Sequence, residues 1–165
     1  MSAALALSQL NRMDERNAQR NENCRVVSEK LEALGFDTFI PENDISRVYF
    51  EFLVRYNEEN IGLPIGDLVK ALQAEGARVE APRYPLLHQQ PVFTHHVWSK
   101  IARLPATPEN PIHVYDESDL PLTTLGNGTL LKLPAFPSAN KELLAQYALA
   151  FEKVLSHADD LPRTT

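Results

Sequence analysis

No proline occurs before Pro41, and that absence limits what this chain can fold into more than any other feature. A proline inside a helix removes a backbone hydrogen bond and clashes with the preceding turn, so a long proline-free stretch with a helical apolar period has little to stop it. Ala6, Leu10, Met13, Asn17, Arg20, Cys24, Val27, Leu31 and Leu34 follow such a period, and Gly35 stands where a C-terminal stop is expected. The spacing predicts one long helix from Ala3 to Leu34. About 32 residues at a rise of ~1.5 Å each reach roughly 48 Å, more than the width of a small domain. Asn17 and Arg20 interrupt the stripe, so the two halves should pack on different bodies. Ala3, Ala4, Leu5, Ala6, Leu7 and Leu10 are apolar almost all round, the pattern of a helix buried on every side. That half should fold back on its own domain, dimerise with its copy or meet a partner body.

The rest of the chain sets the bounds. With 165 residues, 44% hydrophobic and 23% charged, it can bury one respectable core, so residues 1–158 are expected to form a single domain, followed by a polar tail at 159–165. A net charge of -6 and a pI near 5.3 argue against nucleic acid, because phosphate binding needs clustered Lys and Arg. The apolar run "AALAL" is far short of the ~20 residues that span a bilayer, and no basic region precedes it as in a signal peptide. A lone Cys24 cannot pair internally; it suits a reducing cytoplasm and reads as a small buried hydrophobe.

The downstream order reads as α+β. "SRVYFEFLVRY" alternates Val48, Phe50, Phe52, Val54 and Tyr56 on one face with Tyr49, Glu51, Leu53 and Arg55 on the other, a half-buried strand. Pro64 opens a helix through Ile65, Leu68, Val69 and Leu72 that ends at Gly76. Arg78 to Ala81 form a short strand. A weak helix follows from Val97 to Leu104, then a proline-rich connection from Pro105 to Pro111, a turn at "GNG" and a strand "LLKL". Asn140 caps a last helix whose buried stripe is Leu144, Tyr147, Phe151 and Leu155. The expected architecture is a small three-stranded antiparallel sheet, covered by helices, with the long N-terminal helix protruding.

Between these elements lies "RYPLLHQQPVF", Arg83 to Phe93, which has two prolines and neither helical nor strand period. A short chain has reason to keep such a run where something binds. Its bland alternative is a loop whose polar side chains satisfy backbone groups.

Four pieces together resemble the second half of the DegT/DnrJ/StrS-type sugar aminotransferases: the opening "MSAALALSQLNRMDERNAQRN", the strand followed by "DLVKALQAEG", the run "YPLLHQQPVF", and "LKLPAFPSANKELLAQY". The resemblance implies the C-terminal small domain of a fold-type I scaffold that uses pyridoxal phosphate to transaminate keto sugars or cyclitols. It also implies that the Schiff-base lysine, the acidic partner of the pyridine nitrogen and most phosphate contacts belong to a preceding large domain. None of the six lysines, Lys30, Lys70, Lys100, Lys132, Lys141 and Lys153, follows the serine-rich turn of the family's lysine loop. An imine-forming lysine needs desolvation or a cationic neighbour, and the sequence shows neither, so no catalytic or cofactor-binding residue is assigned to this chain. In the family the loop forms part of the wall over the cofactor, so Tyr84, His88 and Gln90 are implied to face a sugar or a nucleotide diphosphate. A histidine between loop prolines should behave as a surface site, its removal altering stability within roughly 0.5 kcal/mol.

Other constellations are weaker. His88, His95, His96 and His113 have no acidic or cysteine partner at ligand spacing, so no metal is expected. No "GxSxG" elbow marks a nucleophile. Gly126 and Gly128 lack the context of a dinucleotide fingerprint. "DESD", Asp116 to Asp119, reads as a solvated loop. Two functions follow: a small-domain component that needs a large-domain partner chain carrying the cofactor, or a non-catalytic interaction module derived from the family, either able to self-associate through the N-terminal helix. A third arrangement is a segment of an ordinary full-length enzyme, since Met1 falls on a methionine that the family carries at this point.

Overall fold

The computed structural model describes residues 2–41, 45, 47–81, 84–95, 97, 107, 115–116 and 118–161. The N-terminal stretch forms two helices, α1 (Ser2–Leu10) and α2 (Met13–Ala33), where one was expected. The break falls at Asn11 and Arg12: the Arg12 N–H turns back to the Gln9 carbonyl at 3.2 Å, and the Arg12 carbonyl accepts from Arg16 to start the next helix. α2 buries Asn23, Cys24, Val27, Ser28 and Leu31. It ends at Gly35, whose φ of 89° is open to glycine without a Cβ penalty. α1 buries nothing; Leu5, Leu7 and Leu10 are 63%, 59% and 60% exposed.

The sheet has two strands among the described residues, β1 (Phe52–Arg55) and β2 (Leu130–Leu133), paired antiparallel with Phe52 opposite Leu133 and Arg55 opposite Leu130. The third expected strand, Arg78 to Ala81, contributes one isolated bridge between Glu80 and Lys132. Its backbone is committed elsewhere. Ala77 N–H donates to Leu72 O at 2.9 Å, Arg78 N–H to the Tyr147 hydroxyl at 3.0 Å, and the Val79 carbonyl accepts from Gln73 at 2.8 Å. Pro82 follows in the sequence and has no N–H to extend a ladder.

The expected alternation before β1 also changes. Phe52, Val54 and Tyr56 are buried, but Val48 and Phe50 are 64% and 79% exposed while Tyr49 is buried. Bends at Phe50 and Glu51 break the two-residue period, so the side chains on either side of them follow opposite parity.

Around the sheet, α3 (Glu58–Ile61) is capped by Asn57, and α4 (Ile65–Ala74) starts after Pro64 and lays Leu68 and Leu72 into the core. The last helix, α7 (Lys141–Ser156), is capped by Asn140, whose Oδ1 accepts from Leu143 N at 2.9 Å. Leu144, Tyr147 and Phe151 are buried as its period predicts, with Leu155 partly buried. Aromatic edges knit these elements together: Phe36 meets Phe151 at 5.3 Å and Phe136 meets Tyr147 at 4.9 Å. Cys24 is fully buried in this core, as expected.

The chain divides into two compact units, residues 1–81 with 130–165, and residues 82–129. The elements above belong to the first, with α5 and α6 in the second. In the second, α5 (Pro91–Thr94) follows a short 3-10 turn, and α6 (Pro121–Thr129) contains the "GNG" that was expected to be a turn. Neither glycine has a positive φ, and Thr129 closes the end of α6 by donating to Leu125 O at 2.9 Å. The expected helix from Val97 to Leu104 and the connection from Pro105 to Pro111 lie outside the described residues apart from Val97 and Thr107.

Candidate functional site

The loop of residues 84–95 is ordered by its prolines and by bonds made within itself. Leu87–Gln89 form a 3-10 turn, with Gln89 N–H bonded to Leu86 O at 3.2 Å. The Gln90 carbonyl then accepts from Phe93 N and Thr94 N to start α5, where Pro91 takes the first position, one that lacks an N–H partner in any helix. Phe93 stands edge-on to Tyr115 at 5.8 Å. No period in the sequence links those two rings, so residue patterning could not bring them together.

The three sequence-assigned residues meet different fates. Tyr84 is 62% exposed. Gln90 turns its side-chain amide back on the loop, Nε2 donating to Leu86 O at 3.2 Å, so part of its hydrogen-bonding capacity serves the loop itself. His88 is buried at 5% exposure, and its Nε2 is shut from solvent without a hydrogen-bond partner. The expectation that His88 behaves as a surface residue is therefore corrected. Its position between prolines placed it in a loop, but within that loop its side chain is buried while the adjacent Leu87 is exposed. A buried imidazole nitrogen without a partner is uncommon.

Several polar groups elsewhere pair with one another. In the "DESD" run Asp116 Oδ1 accepts from Ser118 N and Oγ, both at 2.6 Å, and Asp119 Oδ2 accepts from Asp116 N at 2.8 Å, a turn stabilised by its own carboxylates. Lys132 Nζ lies 2.6 Å from Glu80 Oε2, and this hydrogen bond holds the Glu80 carboxyl below the usual carboxylate range. Among the described residues, no three His, Cys, Asp or Glu side chains gather as metal ligands, and no helix is long and apolar enough to cross a membrane.

The described lysines do not fit a pyridoxal phosphate site. Lys153 pairs with Glu75 at 2.7 Å, Lys132 with Glu80, and Lys70 lies 3.8 Å from Asp67, while Lys30 and Lys141 are exposed. Each is either ion-paired or in solvent, the reverse of the desolvated, carboxylate-free setting that an imine-forming amine requires. Lys100 lies outside the described residues.

Comparison with known proteins places these features. The model of the DegT/DnrJ/EryC1/StrS aminotransferase family matches residues 1–124. The L-glutamine:2-deoxy-scyllo-inosose aminotransferase of Micromonospora echinospora is 33% identical over 92 residues, 53% of this chain and 22% of the relative. A relative from Streptoalloteichus tenebrarius, named for transamination of an amino-dideoxy-scyllo-inosose, is 32% identical over 99 residues, 57% of this chain and 24% of its own length. This chain thus spans under a quarter of the length of either. The fold is similar to that of an aminotransferase from Psychrobacter cryohalolentis, with a TM-score of 0.72 and 17% identity over 95% of this chain and 38% of that one. It is also similar to a DegT DnrJ EryC1 StrS aminotransferase from Brucella abortus, with a TM-score of 0.64 and 15% identity over 89% of this chain and 33% of that one.

Proposed function

Because the chain belongs to the DegT/DnrJ/EryC1/StrS aminotransferase family, we propose that it is the small-domain component of a pyridoxal phosphate-dependent aminotransferase for a keto sugar or cyclitol, completed by a second chain. That second chain carries the large domain and the cofactor lysine. What supports the aminotransferase reading above all is likeness: relatives named for cyclitol transamination match 57% and 53% of this chain at 32% and 33% identity. The ion-paired or exposed state of the five described lysines agrees with a cofactor held elsewhere. Pyridoxal phosphate, bound in the partner, supplies the electron sink for moving the amino group.

This chain's own contribution is a wall. His88, with its Nε2 unpartnered, offers a hydrogen bond to a substrate oxygen, Tyr84 offers a largely exposed side chain, and Gln90 offers what its bond to Leu86 leaves free. The prolines hold these groups in place before binding, which limits the ordering entropy that recognition would otherwise cost. The exposed apolar residues of α1 give the partner chain a surface to cover.

The test is reconstitution. Mixing the purified chain with the family's large-domain chain, pyridoxal phosphate, L-glutamine and a keto cyclitol should yield transamination that neither chain gives alone. His88→Ala should lower that activity. Formation of a stable two-chain complex without activity would refute the enzymatic reading and leave an interaction module.

A further inference from the structure

The "GNG" of residues 126–128 is a motif of the sequence that the proposed substrate wall does not use. Of the ten asparagines in the chain, Asn127 alone is followed by glycine. That order matters chemically, because a glycine nitrogen has no side chain beside it to hinder its approach to the preceding carboxamide. Several other asparagines have their carboxamides engaged. Asn23 donates to the Phe136 carbonyl, Asn17 accepts from Arg20, and Asn57 and Asn140 cap α3 and α7. The Asn127 carboxamide has no hydrogen-bond partner among the described residues.

Helical backbone protects an Asn–Gly pair. A ψ near about −42° turns the glycine nitrogen away from the asparagine side chain, and the helix takes up its hydrogen. The protection lasts only as long as the helix does, and α6 is a weak one. Its 9 residues fall short of the ~12–15 that a helix without tertiary support needs in water. Two of them are glycines, which lose the most conformational freedom on ordering, and none is buried. Leu122 and Leu125 stand 82% and 62% exposed, so little apolar burial holds the element closed. Among the described residues, nothing lies within 4 Å of where a Cβ on Gly126 or Gly128 would stand.

We propose that Asn127–Gly128 is a spontaneous modification site, at which opening of α6 lets the asparagine deamidate through a cyclic imide. The Gly128 nitrogen gives up its proton to solvent and attacks Asn127 Cγ. The new N–C bond forms, the Cγ–Nδ2 bond breaks, and Nδ2 takes a proton from solvent and leaves as ammonia. Water then opens the ring at one of its two carbonyls: attack at Cγ gives aspartate, and attack at the main-chain carbonyl gives isoaspartate. The balance is one water consumed and one ammonia released, with no redox change. Either product puts a carboxylate at position 127, and isoaspartate adds a main-chain atom that breaks the hydrogen-bond register of α6. The site owes nothing to the 84–95 loop and stands whether or not the chain completes an aminotransferase.

The full chain is incubated at neutral pH and physiological temperature and digested. Mass spectrometry follows the conversion of each asparagine, and labelling by protein isoaspartate methyltransferase identifies isoaspartate. Amide hydrogen exchange on the same chain reads the opening of α6. Asn127 should convert about tenfold or more faster than Asn57 or Asn140, and the Gly128 amide should exchange faster than the central amides of α7. Gly128→Ala should slow conversion about tenfold or more, by favouring the helix and hindering the nitrogen, while the thermal midpoint holds or rises. Gly126→Ala favours the helix but leaves the reacting pair intact, so it should slow conversion by a smaller factor. Asn127 converting no faster than Asn57 or Asn140, or at an unchanged rate in Gly128→Ala, would overturn the site. A Gly128 amide protected as strongly as the centre of α7, or a rate untouched by Gly126→Ala, would overturn the opening of α6 as its route.

Discussion

Replacing His88 by leucine separates a group kept for function from one kept for packing. The ring is 5% exposed, and its Nε2 is buried without a partner. A buried polar atom left unsatisfied costs about 1–3 kcal/mol relative to one that is bonded. Leucine fills much of the same volume and removes that liability, so stability should hold or rise by about 1 kcal/mol after allowing for imperfect shape. His88→Ala should behave differently, losing about 2 to 4 kcal/mol because it leaves a cavity. Urea denaturation of the isolated chain, with hydrogen exchange at the amides of residues 84–95, measures both. In the reconstituted pair, His88→Leu should lower transamination because leucine offers no hydrogen bond to substrate; a loss of about 0.5 to 3 kcal/mol in substrate interaction is the range for one such bond. The combination of kept stability and lost activity is the signature of a polar group retained at a stability disadvantage. If His88→Leu destabilises by more than about 1 kcal/mol, the ring has a structural role that the leucine cannot fill, and if activity is unchanged, it does not face the substrate.

Asn23 Nδ2 donates to the Phe136 carbonyl at 2.7 Å, where Phe136 has a φ of 46°, so Asn23→Ala should cost about 1–3 kcal/mol by urea denaturation and loosen the Phe136 ring in its aromatic cluster. Leu10→Glu should abolish any self-association or partner capture seen by sedimentation without changing the thermal midpoint, because Leu10 is 60% exposed; a midpoint that drops would show Leu10 packed inside the fold. The Cys24 thiol rises from 9.0 to about 12 on burial, so above pH 9 the unfolded chain loses a proton that the folded chain keeps. Stability present below pH 9 should therefore fall as pH rises from 9 towards 12, in the same direction as the buried Tyr49 and Tyr56 hydroxyls, whose burial also raises them. Cys24→Ala should flatten part of that decline in denaturation measured across the range.

Local periodicity was enough to locate α2, α4, α7 and β2, because each buries one face of a regular element and a stripe such as Leu144, Tyr147, Phe151 has no other way to be satisfied. Caps and stops were legible for the same local reason: Asn140, Gly35 and Gly76 act within a few residues of themselves. The family motifs, the lone buried Cys24 and the position of the 84–95 loop were likewise readable from the chain. What depended on distant partners was not. Whether Arg78 to Ala81 became a strand turned on Tyr147 and Gln73 claiming its backbone, and no local pattern records a hydroxyl contributed from far along the chain. Tyr49 and Phe50 exchanged faces because a bend broke the pleat, a choice made by packing rather than by residue type. The burial of His88 is also a matter of tertiary placement. Residue identity sets which groups can bond or ionise, whereas burial and proximity, which decide whether they do, exist only once segments distant in the chain have packed together.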